Sequence, residues 1–199
     1  MKKLSLTIML AFCTLVMVAQ NSTKVSFQGA SPDIVDFAWA FLFSDDDEDD
    51  CDQEATSGIK DALERYRQGK KQEDNVKLVV DRKGGFISYE WRYEENSMTI
   101  EMCYWNEADK KHKLFAYSSW YYANGKPSQG QYDTLAFMRY DNAKKTMTSC
   151  GTPGFEVTYD QNTTYSLPRV GKDITVNKWN KNGQKTQTTL KWNGHGFNK

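Results

Sequence analysis

From Val76 to Trp192 the sequence alternates apolar and polar residues with a period of two, broken at short intervals by Gly, Asn and charged residues. Such alternation belongs to strands with one face in a core, because successive β-residues point to opposite sides of a sheet. The cleanest stretch sets Ile87, Tyr89, Trp91 and Tyr93 against Ser88, Glu90 and Arg92. Met98, Ile100, Met102 and Tyr104 continue the pattern beyond a turn at 94–97, and a strand at 114–123 is closed by Asn124-Gly125. Further strands are expected at 76–80, 132–140, 146–150, 155–159, 174–179 and 185–192, the last two joined by a five-residue loop at 180–184. Connections this short demand antiparallel neighbours, since a parallel crossover takes a dozen or more residues.

Before Val76 the period is helical. Residues 33–43 are densely apolar and contain no breaker; Ile34, Phe37, Ala38 and Phe41 fall on one helical face, and Ser31 or Asp33 is placed to cap the start. A second helix is expected over 58–68, opened by Thr56 or Ser57. Its residues Ile59, Ala62, Leu63 and Tyr66 are spaced i, i+3, i+4, i+7, and Gly69 is a natural stop. No helical pattern follows residue 70. The expected fold class is therefore α+β, with one or two N-terminal helices packed on a meandering antiparallel β-sheet of eight or nine strands. A sheet of that length can curl into a barrel or fold into a sandwich. With 199 residues, 39% of them hydrophobic, the chain suits one domain.

The first nineteen residues stand apart. Met1-Lys2-Lys3 is a short basic start, and the run from Leu4 to Ala19 carries no charge. It is short for a membrane span and fits a secretory signal peptide, cleaved near Ala19 to leave Gln20 first. The expected organisation is thus a signal peptide at 1–19, a helical segment at 20–75 holding an acidic loop at 45–52, and a sheet region at 76–199 that shares one domain with 20–75. No second apolar stretch follows, so the mature chain has no expected transmembrane segment, and localisation is expected to be periplasmic or secreted. Export favours disulfides among Cys51, Cys103 and Cys150. Three thiols allow one intramolecular bond; Cys103–Cys150, both in strand-like segments, is preferred, with the other pairings and three free thiols left open.

Charge and motifs narrow the chemistry mainly by exclusion. The 26 Lys plus Arg balance 26 Asp plus Glu, so nothing in the net charge calls for nucleic acid. Residues 161–199 are basic with Asp173 as their one acid, which suits exposed strands protected from edge-to-edge pairing. Residues 45–52 hold seven carboxylates in eight positions. Asp45, Asp47 and Asp49 have the spacing of a calcium loop, but Asp50 stands where glycine is needed and Thr56 where the closing Glu belongs, so the run reads as a solvated loop. His112 and His195 are the only histidines, one in a charged turn and one between two glycines near the end, and both read as surface residues. Nucleophile elbows, phosphate-cradling glycine loops and H-E-x-x-H are absent, and no cofactor is expected. Glu90 and Glu101 lie on the polar faces of adjacent strands, where they suit either a cross-strand ion pair with Arg92 or a glycosidase pair.

Aromatic residues are the strongest compositional feature, more than half of them falling within 86–140. Rings stand on both faces of the 114–123 strand, and only one face need meet the helices. The other is then a sandwich interior or a platform for a ligand. As a platform its candidates are Trp91, Trp105, Trp120 and Tyr122, and its partner would be a glycan or an envelope protein.

Three stretches, Gly85-Phe86-Ile87-Ser88-Tyr89, Cys103-Tyr104-Trp105-Asn106 and Leu190-Lys191-Trp192-Asn193-Gly194-His195-Gly196-Phe197, together resemble those of small exported, β-rich proteins of Gram-negative anaerobic bacteria with no assigned activity. The resemblance spans residues 75–199. It implies a signal peptide and an antiparallel sheet, and supplies no catalytic residues. The expected function is an exported, non-catalytic binding or interaction protein of the bacterial cell envelope. The alternative is a carbohydrate-active hydrolase using the strand carboxylates.

Overall fold

The computed structural model describes residues 22–43, 50–128, 134–158, 160 and 162–198, with the backbone alone at 50–55 and at 134. The expected signal peptide and Asp45, Asp47 and Asp49 lie outside these residues. The elements in chain order are β1 (Ser22–Lys24), α1 (Ile34–Leu42), α2 (Asp50–Arg67), β2 (Val76–Asp81), β3 (Phe86–Tyr93), β4 (Asn96–Asn106), β5 (His112–Ala123), β6 (Lys126–Ser128), β7 (Thr134–Asp141), β8 (Thr146–Cys150), β9 (Thr163–Ser166), β10 (Ile174–Trp179), β11 (Lys185–Trp192) and β12 (Phe197–Asn198). The fold is α+β with a β-rich core.

The strands form two antiparallel sheets rather than one meander. The larger runs β1-β8-β7-β5-β4-β3-β2, with β6 paired to the end of β5; the smaller runs β12-β11-β10-β9. Its two ends stay apart as edges, so the larger sheet is not a barrel. The Asn124-Gly125 turn between β5 and β6 puts both residues at positive φ, +51° and +69°, which is the geometry that suits a two-residue hairpin. The longest pairing, Ser97↔Tyr122 through Asn106↔Lys113, fixes which side chains share a face.

Both faces of the larger sheet are covered. On one, Ile87, Tyr89, Ile100, Met102, Phe115, Tyr117, Tyr140 and Met147 pack under the helices against Ile34, Phe37, Ile59 and Leu63. On the other, Phe86, Cys103, Trp105, Leu114, Ala116, Leu135 and Phe137 meet Tyr165, Leu167, Ile174, Val176, Leu190 and Phe197 of the smaller sheet region. The result is three layers, helices on sheet on sheet. Phe37 is the keystone of the helix layer. It is fully buried, with ring centroids 5.2 Å from Tyr104, 6.1 Å from Phe115 and 5.1 Å from Tyr140.

Helix α1 starts where its sequence says it should. Asp33 is the N-cap, its Oδ1 accepting from the N–H groups of Val35 (2.8 Å) and Asp36 (3.3 Å). The Asp33 N–H donates back to Asp36 Oδ2 at 2.9 Å and closes a capping box. Helix α2 corrects the sequence reading. It begins at Asp50 rather than near Gly58, so the C-terminal part of the expected acidic loop is helical backbone. Acidic residues repel one another, but in a first helical turn they also face the unpaired N–H groups of the helix end, which favour negative charge.

Two further expectations fail. Residues 155–158 are not a strand; the segment runs as irregular chain, and β9 at Thr163–Ser166 takes the place beside β10. Tyr159, the last residue of that expected strand, lies outside the described residues. The preferred Cys103–Cys150 disulfide is excluded by register. Cys103 pairs with Ala116, Ala116 with Phe137 and Phe137 with Cys150, so the two thiols stand in one row, three strand spacings apart. That is about 14 Å, where a disulfide needs Cα atoms within ~7 Å. Both are free cysteines, and burial pushes both thiol pKa values up.

Candidate functional site

A polar cleft lies at the start of α1. It has a volume of about 430 Å³ and is lined by Ser26, Phe27 and Gln28 of the chain after β1, Asp33, Val35, Asp36 and Trp39 of α1, Arg67 at the end of α2, and Arg82 after β2. Its position follows from the fold. β1 pairs with β8 at one sheet edge, and the chain that leaves it for α1 forms one wall of the cleft.

Charged groups in this cleft are held in place. The Arg82 guanidinium donates from Nη1 to Asp33 Oδ2 at 2.5 Å, so the N-cap carboxylate serves both the helix and the ion pair. Burial raises the Asp36 carboxyl above its ordinary pKa; the hydrogen bond from the Asp33 N–H works against that rise. Trp39 stacks on Phe43, with centroids 4.1 Å apart and planes 15° apart, and carries the Arg67 guanidinium 4.1 Å over its ring. Two groups at that distance occupy opposite ring faces, so the indole is clasped between them. Among the described residues Arg67 has no ion-pair partner, and its fork of N–H donors is aimed by the stacking rather than consumed by a carboxylate.

The four aromatic residues picked from the sequence do not make one platform. Strand parity places Trp91 under the helices and Trp105, Trp120 and Tyr122 on the opposite face. Trp105 is 4% exposed; its Nε1–H donates to the Lys172 carbonyl at 2.8 Å, and its ring packs on Trp192 and Phe197. Trp120 is 7% exposed. Tyr122 meets Trp179 edge-on at 6.1 Å and so joins the sheets, while Trp91 stacks with Tyr93 at 6.2 Å at the open end of β3. The second aromatic face is a sandwich interior. The periodicity identifies faces correctly but does not show that a second sheet will cover one of them.

The strand carboxylates share a face, Glu90 opposite Thr99 and Glu101 opposite Ser88. Each is already engaged. Arg92 Nε donates to Glu90 at 2.6 Å, and Glu90 lines a separate cavity of about 290 Å³ with Asp74, Asn75, Val76, Lys77 and Arg92. Glu101 Oε2 accepts from the Leu167 N–H at 2.7 Å, and the neighbouring Ser118 hydroxyl donates to the Tyr165 carbonyl at 2.7 Å. Both contacts cap the free edge of β9, an edge strand of the smaller sheet. Desolvation in this junction raises the Glu101 pKa to about 7, against the lowering effect of the Leu167 hydrogen bond.

The histidines reach the surface as the sequence suggests, with side chains 31% (His112) and 64% (His195) exposed, but each has an acid beside it. Glu107, 5% exposed in the β4–β5 turn, accepts from Arg139 Nε at 2.7 Å through Oε1, while its Oε2 lies 3.9 Å from His195 Nδ1. His112 Nδ1 is 2.5 Å from Asp109 Oδ2, and that contact is the main reason the Asp109 carboxyl drops to about pKa 2. The local signal was present, since Asp109 and His112 stand three apart across a turn. The convergence of His195 was not, because it depends on contacts between distant segments.

Comparison with family models, with curated proteins and with solved structures yields no match.

Proposed function

We propose that this is an exported, non-catalytic binding protein of the bacterial cell envelope that takes an acidic glycan in the cleft at the start of α1. The observation that carries the reading is Arg67, stacked 4.1 Å over Trp39 at the wall of a 430 Å³ cleft with its donors uncommitted among the described residues. A guanidinium held flat by stacking has lost little further freedom on binding and matches a carboxylate through two parallel hydrogen bonds. The remaining lining of Ser26, Gln28 and Asp36 supplies acceptors and donors for hydroxyl groups. A cleft of this size falls in the range of small-ligand sites. Export is supported by the Lys2-Lys3 start and the uncharged run to Ala19. Among the described residues, no helix is long and apolar enough to cross a membrane.

A screen of glycans bearing uronic acids against neutral ones, followed by calorimetry on wild type and Arg67→Ala, tests the reading. Saturable binding of acidic glycans that falls at least tenfold in the variant supports it. Equal binding by wild type and variant, or no glycan binding, overturns it. Mass spectrometry of the exported protein should find a mature form beginning near Gln20.

One observation favours the hydrolase alternative: Glu101 holds a pKa of about 7, as a general acid would. Glu101→Gln decides it. Loss of a glycosidase activity that the wild type possesses would favour the enzyme, whereas the binding protein keeps its ligand in that variant.

A further inference from the structure

We propose that Glu107, Asp109, His112 and His195 form a site for a divalent transition-metal ion of the zinc class, separate from the cleft. Glu107, Asp109 and His112 each offer a ligand atom, and those atoms lie within 4.8 Å of one another. His195 stands outside that group, its side chain 64% exposed and its Nδ1 3.9 Å from Glu107 Oε2, where it can add a second imidazole. That separation is too long for a hydrogen bond. Two donors bound to one tetrahedral ion with ~2.0 Å bonds stand about 3.3 Å apart, so His195 must swing inward, toward Asp109 and His112 as well as Glu107, to join the three.

The supporting contacts aim the ligands. Arg139 holds Glu107 Oε1 and Oε2 is the oxygen on the side of His195, so the buried carboxylate is oriented by its neighbour as metal ligands commonly are. Asp109 Oδ1 accepts from the N–H groups of Lys111 (2.8 Å) and His112 (3.1 Å), which fixes its carboxylate beside the imidazole. His195 is carried by a turn in which Asn193 Oδ1 accepts from the His195 and Gly196 N–H groups, both at 3.0 Å. That turn is tied to the cluster by the Ala108 N–H donating to the Gly194 carbonyl at 2.9 Å. The only two histidines of the chain therefore meet at one buried carboxylate.

Two imidazoles and two carboxylates make a mixed nitrogen and oxygen set. It suits zinc and its neighbours better than calcium or magnesium, which take oxygen ligands. A bound ion would also clamp the C-terminal turn to the β4–β5 turn.

The test is Zn²⁺ titration of the full exported chain after treatment with EDTA, followed by calorimetry and melting temperature, with Co²⁺ absorption as a report on coordination geometry. The expected result is one saturable Zn²⁺ site of micromolar affinity or tighter that raises the melting temperature. His112→Ala and His195→Ala should each weaken it at least tenfold. Substituting Asp45, Asp47 and Asp49 by Asn should leave it intact, and millimolar Ca²⁺ should not displace the metal. His112→Gln replaces His112→Ala should the latter lose its native circular dichroism. Absence of a saturable site, full affinity in either histidine variant, loss in the triple Asn variant, or displacement by Ca²⁺ overturns the proposal.

Discussion

The carboxylate of Glu101 on β4 accepts the backbone N–H of Leu167 at 2.7 Å, so one side chain of the larger sheet completes the edge of the smaller one across 66 positions of sequence. Desolvation there raises the Glu101 pKa from 4.5 to about 7. The folded protein thus holds this proton more tightly than the unfolded chain. The stabilisation is fully present below about pH 4.5 and is lost as pH rises through about 7. The shift bounds the loss at about 3 kcal/mol, and partial exposure makes it smaller. Gln at this position keeps an acceptor for Leu167 and carries no charge. Urea midpoints measured from pH 4.5 to 8 should fall with pH in wild type and less steeply in Glu101→Gln. Parallel profiles would show that Glu101 ionises normally.

Cys103 and Cys150 share a row of the larger sheet three strands apart, so native protein should never contain a bond between them. Denaturing alkylation without reductant, followed by peptide mapping, should find no Cys103–Cys150 peptide. Its presence would mean that β5 or β7 is misplaced.

Gly154 sits at φ +91°, and a Cβ there would lie 2.5 Å from the backbone oxygen of Phe197. The Phe197 N–H also donates to the Pro153 carbonyl at 2.8 Å, so this turn supports β12 alongside its pairing with β11. Gly154→Ala combines backbone strain with a clash against main chain that cannot rotate away. It should cost about 2–3 kcal/mol. Chemical denaturation reads the loss directly, and a neutral result would show that the C-terminal strand is free to move.

Phe37→Ala removes the ring that Tyr104, Phe115 and Tyr140 enclose. Its cost should be about 3–5 kcal/mol, in the range for deleting a fully buried aromatic side chain. Phe41→Ala, at a half-buried position on the same helix, should cost less. A reversal of that order in urea denaturation would mean that α1 is rotated on the sheet.

The local pattern alone determined a great deal. Alternation from Val76 onward marked β2, β3, β4, β5, β8, β10 and β11 to within a few residues, because facing a core imposes period two on any half-buried strand. Helix α1 was equally legible, since its apolar face and its Asp33 cap are both written within eleven residues of chain. What the alternation does not contain is the identity of the layer covering each face. Trp105 and Trp120 alternate just as residues of an exposed platform would, and only the packing of the smaller sheet makes them interior. The same limit hid the β9 edge capped by Glu101, the separation of Cys103 from Cys150, and the approach of His112 and His195 to Glu107. Each depends on which distant segments share a surface. Periodicity reports the environment of a residue and never the identity of its neighbour, so those relationships belonged to the tertiary structure alone.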